Sequence, residues 1–409
     1  MPWQEIRVEE QRMYLMAAVE RQELTMAEAC RRAGVSRKTG YKWLGRWREV
    51  GCDGLANRSS APAHHPNQTP PGLVETICAW RRANPDQGPV TIHWHLCRQY
   101  PQEPWPAPST IGELLKKAGL VEPPPPPPRA RLQGAAWGLA HCTAPHAVLS
   151  IDFKGWFCVG DGERCQPFTV LDGFSRYLLA CQAMPATEQE VRTCLTAVFA
   201  EHGLPQVVRS DNGPPFAGTG LGRLSRLSVW FLKLGVRPEW IEPGKPWQNG
   251  RLERFHRTLK DQLALVGVAA NLAEQQAWFD TWRVTYNEDR PHRALDMRTP
   301  AELYARSGRP WPAAPFEASY PAGYERRRVR GDGTIKWQGE FLYCGLPLTK
   351  ELVGLEPLGH PENRYWQLWF GQHPLAILDS PQQHWLTVAE ANRVLRARAA
   401  GPILELEQV

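Results

Sequence analysis

The sequence lacks paired cysteines, an apolar leader and any long hydrophobic run. Its ten cysteines are scattered without a Cys-x-x-Cys pair, so the spacing signals neither a zinc site nor a disulfide framework and predicts buried thiols in a reducing cytoplasm. The N-terminus has no apolar signal core, and no stretch approaches about 18 consecutive apolar residues. Export and membrane insertion are both unsupported, and we expect no membrane contact.

The chain does contain enough apolar material for several cores. It has 409 residues, of which 42% are hydrophobic, and a prior of roughly 150 residues per domain suggests two to four domains. Its 48 lysines and arginines against 42 aspartates and glutamates leave a net charge of only +6. This balance alone is a weak indication of an anionic partner.

The positive charge is concentrated between residues 30 and 48, which include no acidic residue. A capping-box pattern at Thr25 to Glu28 opens one helix, Gly34 supplies a turn, and Ser36 can cap a second, basic helix. This is the helix-turn-helix layout, in which the second helix enters the major groove of DNA. The residues predicted to contact DNA are Arg37, Lys38, Thr39 and Lys42. The alternative is an ordinary helical pair with a solvated basic face, which the coincidence of turn and acid-free run disfavours.

A second group of three short helices is predicted over residues 72–121, the third of them capped by Ser109. Whether this group binds DNA or acts as a packed spacer stays open. The six prolines Pro123 to Pro128 follow it. Consecutive prolines favour a polyproline II rod of roughly 3.1 Å per residue. They mark the clearest domain boundary in the chain.

From Ala147 onward, apolar strands, of which the first is predicted at 148–153, alternate with helices, which include 188–202 and a segment near 221–234. Three strands in a meander, followed by helix, strand, helix, strand and helix, predict a mixed α/β sheet covered by helices. Asp152 and Asp211 each end an apolar strand-like run, at the strand ends where open α/β sheets place ligands. Glu253 lies in a basic helical segment, residues 247–260. Beyond residue 324, short β-rich pieces separated by turns predict a small barrel, and a final helix follows. The pieces are 334–337, 341–344, 352–357 and 365–370.

Three carboxylates that a fold brings together can hold two divalent metal ions, which suits in-line displacement at a phosphodiester. Glu242 competes with Glu253 for the third position, but it precedes Pro243 and Gly244 and is not predicted on a helix. Asp172 is interpreted as a turn residue, and His256 either as a phosphate contact or as a surface histidine. Basic residues predicted to face the DNA backbone flank the site, although salt bridges could explain some of them. They are Lys245, Arg251, Arg254, Arg257 and Lys260.

Four motifs in order resemble those of the insertion-sequence transposases of the retroviral-integrase-like D-D-E group, whose catalytic core has an RNase H-like fold. They are Ser150 to Phe153, Arg209 to Gly213, Gln248 to Leu259, and Tyr286 to Pro300. One departure is that 41 residues separate Asp211 from Glu253, more than the common spacing, and an insertion within residues 213–226 accounts for the excess.

The resemblance implies that Asp152, Asp211 and Glu253 are both the catalytic residues and the ligands of two Mg²⁺ ions, for which Mn²⁺ substitutes. It further implies double-stranded DNA partners (the terminal repeats of the element and the target), a homo-oligomer assembled on DNA, and a place in the bacterial cytoplasm with the nucleoid. The implied activity is metal-dependent cleavage of DNA ends and strand transfer. Two alternatives are a domesticated DNA-binding regulator without turnover and an RNase H-like nuclease.

The predicted architecture is multidomain. It combines all-α helix-turn-helix units, a central α/β RNase H-like core with a mixed five-stranded sheet, and a C-terminal all-β barrel of Src-homology-3 type. In chain order the segments are a helix-turn-helix domain (1–60), a second helical domain (61–122), a Pro-rich linker (123–140), the catalytic core (141–308), a second Pro-rich linker (309–323), the small barrel (324–385), and a C-terminal helix and tail (386–409).

Overall fold

The computed structural model describes residues 8–57, 68–121, 139–218, 220–312, 316–359 and 364–400. The chain divides into two compact units, Met1–Pro70 and Pro71–Val409. The finer division into seven segments stays a prediction. The proline run at 123–128 lies outside the described residues.

The first unit is a bundle of short helices. It contains α1 (Val8–Glu20), α2 (Met26–Arg32), α3 (Arg37–Val50) and a 3-10 turn (Gly51–Leu55). The predicted capping box is present at α2, where Thr25 and Glu28 each bind the other's backbone N–H, and Ser36 caps α3 as expected. Gly34 adopts a positive φ of 66° in the turn between them. The predicted helix, turn and basic helix are confirmed.

The second unit begins with three helices, α4 (Pro71–Ala83), α5 (Pro89–Gln99) and α6 (Pro108–Lys117). They enclose a small core of their own, which includes Ile77, Ile92 and Leu96. The prediction that Ser109 caps α6 is wrong: the N-cap is Ala107, without a side-chain hydrogen bond. Proline suits the first position of a helix because it has no N–H to satisfy, so Pro108 starts the helix and Ser109 falls inside it.

The core of the second unit is a mixed five-stranded sheet, as predicted. Its strands are β1 (Val148–Phe153), β4 (Pro167–Asp172), β5 (Leu178–Ala183), β6 (Val207–Ser210) and β7 (Arg237–Trp240), and a small hairpin of β2 (Phe157–Cys158) and β3 (Arg164–Cys165) lies between β1 and β4 in the chain. The order across the sheet is β5-β4-β1-β6-β7. The first three strands pair antiparallel, whereas β6 and β7 extend the sheet parallel to β1.

Helices cover both faces of this sheet. They are α7 (Glu188–His202), α8 (Arg226–Lys233), α9 (Gly250–Val266), α10 (Leu272–Glu288) and the short α11 (Pro300–Leu303). Leu149 and Ile151 of β1 pack with residues of α7 and α8, and Phe255 of α9 packs with Phe279 of α10 in a separate cluster. Because strand side chains alternate between faces, Ser150 and Asp152 point away from the α7 and α8 side. The helix predicted at 221–234 begins later, at Arg226, because Ser225 caps it and Gly222 has a positive φ.

The C-terminal part is antiparallel β structure. It comprises β8 (Glu325–Arg328), β9 (Thr334–Trp337), β10 (Glu340–Tyr343), β11 (Leu352–Pro357), β12 (Tyr365–Phe370), β13 (His373–Asp379), β14 (His384–Trp385) and helix α12 (Val388–Ala400). Five strands form one sheet in the order β14-β13-β12-β11-β8, and β9 and β10 form a hairpin. Its apolar cluster includes Leu224 and Val229 from the α8 region, so this sheet packs against the core.

Two features that the sequence lacks are membrane-spanning helices and paired cysteines. None of the helices in the described ranges is both long and apolar enough to cross a membrane. The ten cysteines are free thiols, and the prediction of burial is confirmed for five of them; Cys97, Cys142 and Cys194 are half-buried. The prediction is wrong for Cys52 and Cys158, which are exposed. Both lie outside the apolar clusters, in a 3-10 turn and in a two-residue strand.

Candidate active site

Three carboxylates that are distant in the sequence come from adjoining elements. Asp152 belongs to β1, and Asp211 follows the last residue of β6. These strands are parallel neighbours with Ser150 opposite Arg209, so each aspartate lies two residues further along, at the same edge of the sheet. Glu253 lies in the first turn of α9. Strand pairing and one helix therefore place all three predicted residues at one end of the sheet.

The electrostatics of Asp152 reflect this placement. Burial, the charge of Asp211 and the charge of Glu253 raise the pKa of Asp152 from 3.8 to about 7. A hydrogen bond from the N–H of Phe153 (2.8 Å) and the charge of Lys154 act in the opposite direction without cancelling the rise. A carboxyl whose pKa is raised by burial and by two other carboxylates is a common feature of catalytic sites.

The turn after β6 holds Asp211 in place. Its Oδ1 accepts the N–H of Gly213 at 3.1 Å, and the amide of Asn212 donates to the carbonyl of Ile241 at 2.6 Å. A Cβ added at Gly213 would lie 3.3 Å from Asp211 Oδ2, so a small residue suits this position. Asn212 and Gly213 therefore shape the turn that presents Asp211.

His256 is buried, with 7% exposure, so its interpretation as a surface histidine is wrong. Its Nε2 lies 2.8 Å from the hydroxyl of Thr169, and that hydroxyl donates to the backbone carbonyl of Asp152 at 3.0 Å. The hydroxyl has one proton, so the histidine must donate through Nε2–H. Burial lowers the pKa of His256 to about 3, so the ring is neutral. This contact joins α9 to β4 and β1, and the sequence contained no signal for the role of Thr169.

Glu242, the competitor for the third carboxylate, belongs to a local network. Its carboxylate accepts hydrogen bonds from Lys245 and from the amide of Gln248, and these lower its pKa. It is not among the groups that shift the pKa of Asp152, whereas Glu253 is. Lys245, predicted to face DNA, is thus engaged in an ion pair with Glu242.

The other basic residues differ in their surroundings. Arg251 is exposed and donates to the carbonyl of Gly173 at 2.5 Å. Three basic side chains of α9 are exposed and have no partner described in this structure: Arg254, Arg257 and Lys260. In the first unit, Arg37, Lys38 and Lys42 are exposed on α3, whereas Thr39 is half-buried and its hydroxyl lies 3.0 Å from that of Ser36. Their contact with DNA stays a prediction.

Asp172 is a turn residue, as interpreted from the sequence. It is fully buried, and its carboxylate accepts the backbone N–H groups of Ser175 (2.7 Å) and His146 (2.8 Å) as well as the Ser175 hydroxyl (2.6 Å). A carboxylate with three such donors is satisfied without a metal ion.

The donor chemistry of the three clustered carboxylates fits a hard divalent cation, because Mg²⁺ prefers oxygen ligands. Such a cation would also offset the mutual repulsion that raises the pKa of Asp152. Across the residues that the structure describes, no three His, Cys, Asp or Glu side chains are grouped tightly enough to hold an ion. The carboxylates would therefore have to draw closer around one.

Several known protein families and proteins are similar to parts of this chain. Residues 143–246 and 234–300 match two family models described as integrase core domain, and residues 6–83 match the leucine-zipper of insertion element IS481. Over 164 residues the chain is 32% identical to the insertion element IS407 uncharacterized 31.7 kDa protein of Burkholderia multivorans, covering 40% of this chain and 57% of that protein. Over 137 residues it is 28% identical to the transposase for insertion sequence element IS904 of Lactococcus lactis, covering 32% of this chain and 52% of that protein.

The chain thus spans about half the length of these curated relatives. Among solved structures, the HTLV-2 integrase catalytic core domain in complex with magnesium covers 40% of this chain and 100% of its own, with 15% identity and a TM-score of 0.31. The family models cover both the strands that carry the aspartates and the helix that carries Glu253. Residues 143–300 thus match the integrase core domain, and the chain is similar to proteins of bacterial insertion elements, among them a transposase.

Proposed function

We propose that this protein cleaves the ends of its own insertion element and joins the freed 3′ ends to target DNA in a metal-dependent reaction. The observation that carries the proposal is the convergence of Asp152, Asp211 and Glu253, expressed in the raised pKa of Asp152. The family match supports the reaction class, and the placement of the carboxylates supports their assignment as its catalytic residues.

Each site residue has a distinct task in this proposal. Asp152, Asp211 and Glu253 would hold two Mg²⁺ ions, or Mn²⁺ in their place, and the ions would supply activation of the attacking oxygen and stabilisation of the leaving oxygen. Asn212 and Gly213 orient Asp211 through the turn after β6. His256 holds α9, and with it Glu253, against β1 and β4. No side chain has to form a covalent bond with DNA.

DNA binding is assigned to surfaces outside the triad. The exposed basic face of α3 would read the terminal repeats, and exposed cations on α9 would attract phosphates near the scissile bond. The C-terminal sheet, which we propose closes into a small barrel of Src-homology-3 type, would add contacts to DNA or to another subunit. The active form would be a homo-oligomer assembled on two DNA ends.

The test is a strand-transfer assay with Mg²⁺ on duplexes taken from the DNA that flanks the gene. Wild type is compared with Glu253→Gln and with Asp261→Asn, a matched control that removes one exposed negative charge from the same helix. We expect joined products from wild type and the control, and a loss of more than about a hundredfold in Glu253→Gln with folding intact.

The same assay separates the two alternatives. Specific binding by wild type without any cleavage would favour a domesticated regulator whose core serves assembly. Cleaved ends that never become joined to target DNA would favour an RNase H-like nuclease. A DNA complex that contains a single protomer would contradict the proposed oligomer.

A further inference from the structure

An open cavity of about 420 Å³ lies beside the carboxylates. Its lining includes Ser150 of β1 and Arg209 of β6, which are paired across the two strands, together with Asn249 just ahead of α9. Ser150 and Arg209 precede Asp152 and Asp211 by two residues each. Two residues along a strand correspond to roughly 7 Å on the same face of a sheet. The cavity therefore adjoins the proposed catalytic site.

Arg209, which lines the cavity, is fixed by a buried ion pair. Arg209 forms an ion pair with Glu239 at 2.7 Å, and both side chains are only 8% exposed. The same guanidinium donates to the carbonyl of Ala140 at 2.6 Å, while Glu239 accepts the N–H of Ala140 at 2.8 Å. Because the guanidinium of Arg209 is already hydrogen-bonded within the protein, Arg209 forms part of the cavity wall and is not the group that would recognise a ligand.

Two side chains of the lining carry polar atoms that lack partners. In the described ranges, four buried side-chain nitrogen or oxygen atoms have no hydrogen bond, and two of them, Trp247 Nε1 and Asn249 Oδ1, are on residues that line this cavity. Asn249 is 94% buried, given its 6% exposure. A buried polar atom without a partner is destabilising. One unpaired donor and one unpaired acceptor on two residues of the same lining indicate a ligand that offers both.

The chemistry of the two atoms restricts that ligand. A phosphate offers only acceptors at neutral pH, so it would satisfy the indole N–H of Trp247 but not the carbonyl oxygen of Asn249. The edge of a nucleobase carries donors and acceptors together, and asparagine is a common partner of such edges. Arg251, exposed and part of the same lining, adds a cation for the attached phosphate. The volume falls within the roughly 300–1,000 Å³ of small-molecule sites.

We propose that this cavity receives one unstacked nucleobase of the DNA end, from a nucleotide next to the scissile phosphate, held by Asn249 and Trp247. Extrusion of a base has a cost in free energy, and the two polar atoms offset part of that cost by gaining the partners that they lack. Removing a base from the stack would also open the duplex beside the bond to be cut. This inference rests on the proposed function, because it assigns the DNA end as the ligand.

Photocrosslinking tests the placement of the base. Full-length Glu253→Gln protein, which leaves the DNA uncut, is irradiated on flanking duplexes that carry 5-iodouracil at one of the last three nucleotides on either side of the expected cleavage point. We expect one position to crosslink to Trp247, and Trp247→Phe to lower the yield severalfold. Trp156→Phe is the matched control, because Trp156 is exposed and is not part of the cavity lining. Crosslinks only outside residues 247–251 would overturn the inference.

A second measurement needs no cavity variant, so misfolding cannot obscure it. A mismatch opposite the extruded nucleotide removes the cost of breaking its base pair, and we expect about tenfold tighter binding by the otherwise unaltered protein at that position only. Equal affinity for matched and mismatched duplexes at every position would overturn the inference. If strand transfer proceeds while both tests fail, the proposed function stands without the base cavity. If wild type neither binds nor joins these ends, both proposals fail.

Discussion

His256 of α9 and Thr169 of β4 share a buried hydrogen bond of 2.8 Å, and the same threonine hydroxyl donates to the backbone of Asp152. The helix that carries Glu253 is thereby joined to the strand that carries the first aspartate. The relationship spans 87 positions in the chain. Burial keeps this histidine neutral although it lies close to a carboxylate, because burial disfavours the charged form of the ring.

The first prediction concerns this contact. We expect His256→Leu and Thr169→Val each to lower the free energy of unfolding by about 1–3 kcal/mol, because each removes this buried hydrogen bond and Thr169→Val also leaves the Nε2–H of His256 without an acceptor. The double variant should lose less than the sum, by about 0.5–1.5 kcal/mol. Urea unfolding measures all of these values. Strand transfer by His256→Leu should fall about tenfold or more, because Glu253 is displaced relative to Asp152.

Thr258→Val is the control for this cycle. Thr258 lies on the same helix, and its hydroxyl bonds only within the helix, to the carbonyl of Arg254. We expect its substitution to change stability by less than about 0.5 kcal/mol and to leave strand transfer intact. Additive losses in the double variant would show that His256 and Thr169 do not act together.

The second prediction follows from the pKa of Asp152. Since folding raises this pKa from 3.8 to about 7, the folded protein binds the proton more tightly than the unfolded chain does. The resulting stabilisation is complete below about pH 4 and is lost as the pH rises through about 7. Metal-free Asp152→Asn should therefore be more stable than wild type at pH 8 and nearly equal to it at pH 4.

The expected difference at pH 8 is about 1–3 kcal/mol. The full change in pKa would correspond to about 4 kcal/mol, but the side chain is 30% exposed, which reduces the effect. Adding Mg²⁺ at pH 8 should stabilise wild type and not the variant, because the variant lacks one ligand. Thermal unfolding at the two pH values, with and without the ion, measures both effects. Equal stability of the two metal-free proteins at pH 8 would contradict the prediction.

Local patterns explain how much of the fold was predictable. The bounds predicted for β1, β9, β11, β12 and α7 agree with the structure. Each of these strands combines apolar runs with flanking turns, and Thr187 caps α7. By contrast, β8 was missed because its residues, Glu325 to Arg328, include no apolar side chain. The pairing of β8 with β11 gives it its structure, and pairing partners are not visible in a local pattern.

The candidate site was predictable only in part, for a related reason. The positions of Asp152, Asp211 and Glu253 relative to strand ends and a helix follow from local patterns and motif order. The hydrogen bonds that surround them do not, because they join residues far apart in the chain. The buried pair of Arg209 and Glu239 is one case: an arginine inside a strand predicts an exposed or edge position, and only the fold supplies its partner.

The third prediction uses this buried ion pair. Glu239→Gln leaves the charge of Arg209 buried without its counter-charge, so we expect a loss of about 3–5 kcal/mol in the free energy of unfolding. Replacing both residues, with Arg209→Met and Glu239→Leu, should recover most of that loss because no unpaired charge remains. The control is Glu325→Gln, which breaks an exposed pair with Arg327 and should cost less than about 1 kcal/mol. A double variant as unstable as the single one would contradict this account.

The last prediction concerns two glycines of α3 in the first unit. A Cβ added at Gly40 would lie 2.4 Å from Cys30 Sγ and 2.7 Å from Met26 Sδ, both buried side chains of α2. We expect Gly40→Ala to push α3 away from α2, to cost about 1–3 kcal/mol, and to weaken binding to the flanking duplexes. Gly45, on the same helix, has nothing within 4 Å of an added Cβ. Gly45→Ala should therefore stabilise the unit by about 0.5–1 kcal/mol, because alanine favours a helix, and should leave DNA binding intact. If both substitutions behave alike in unfolding and in DNA binding, the close approach of α2 and α3 is not what Gly40 provides.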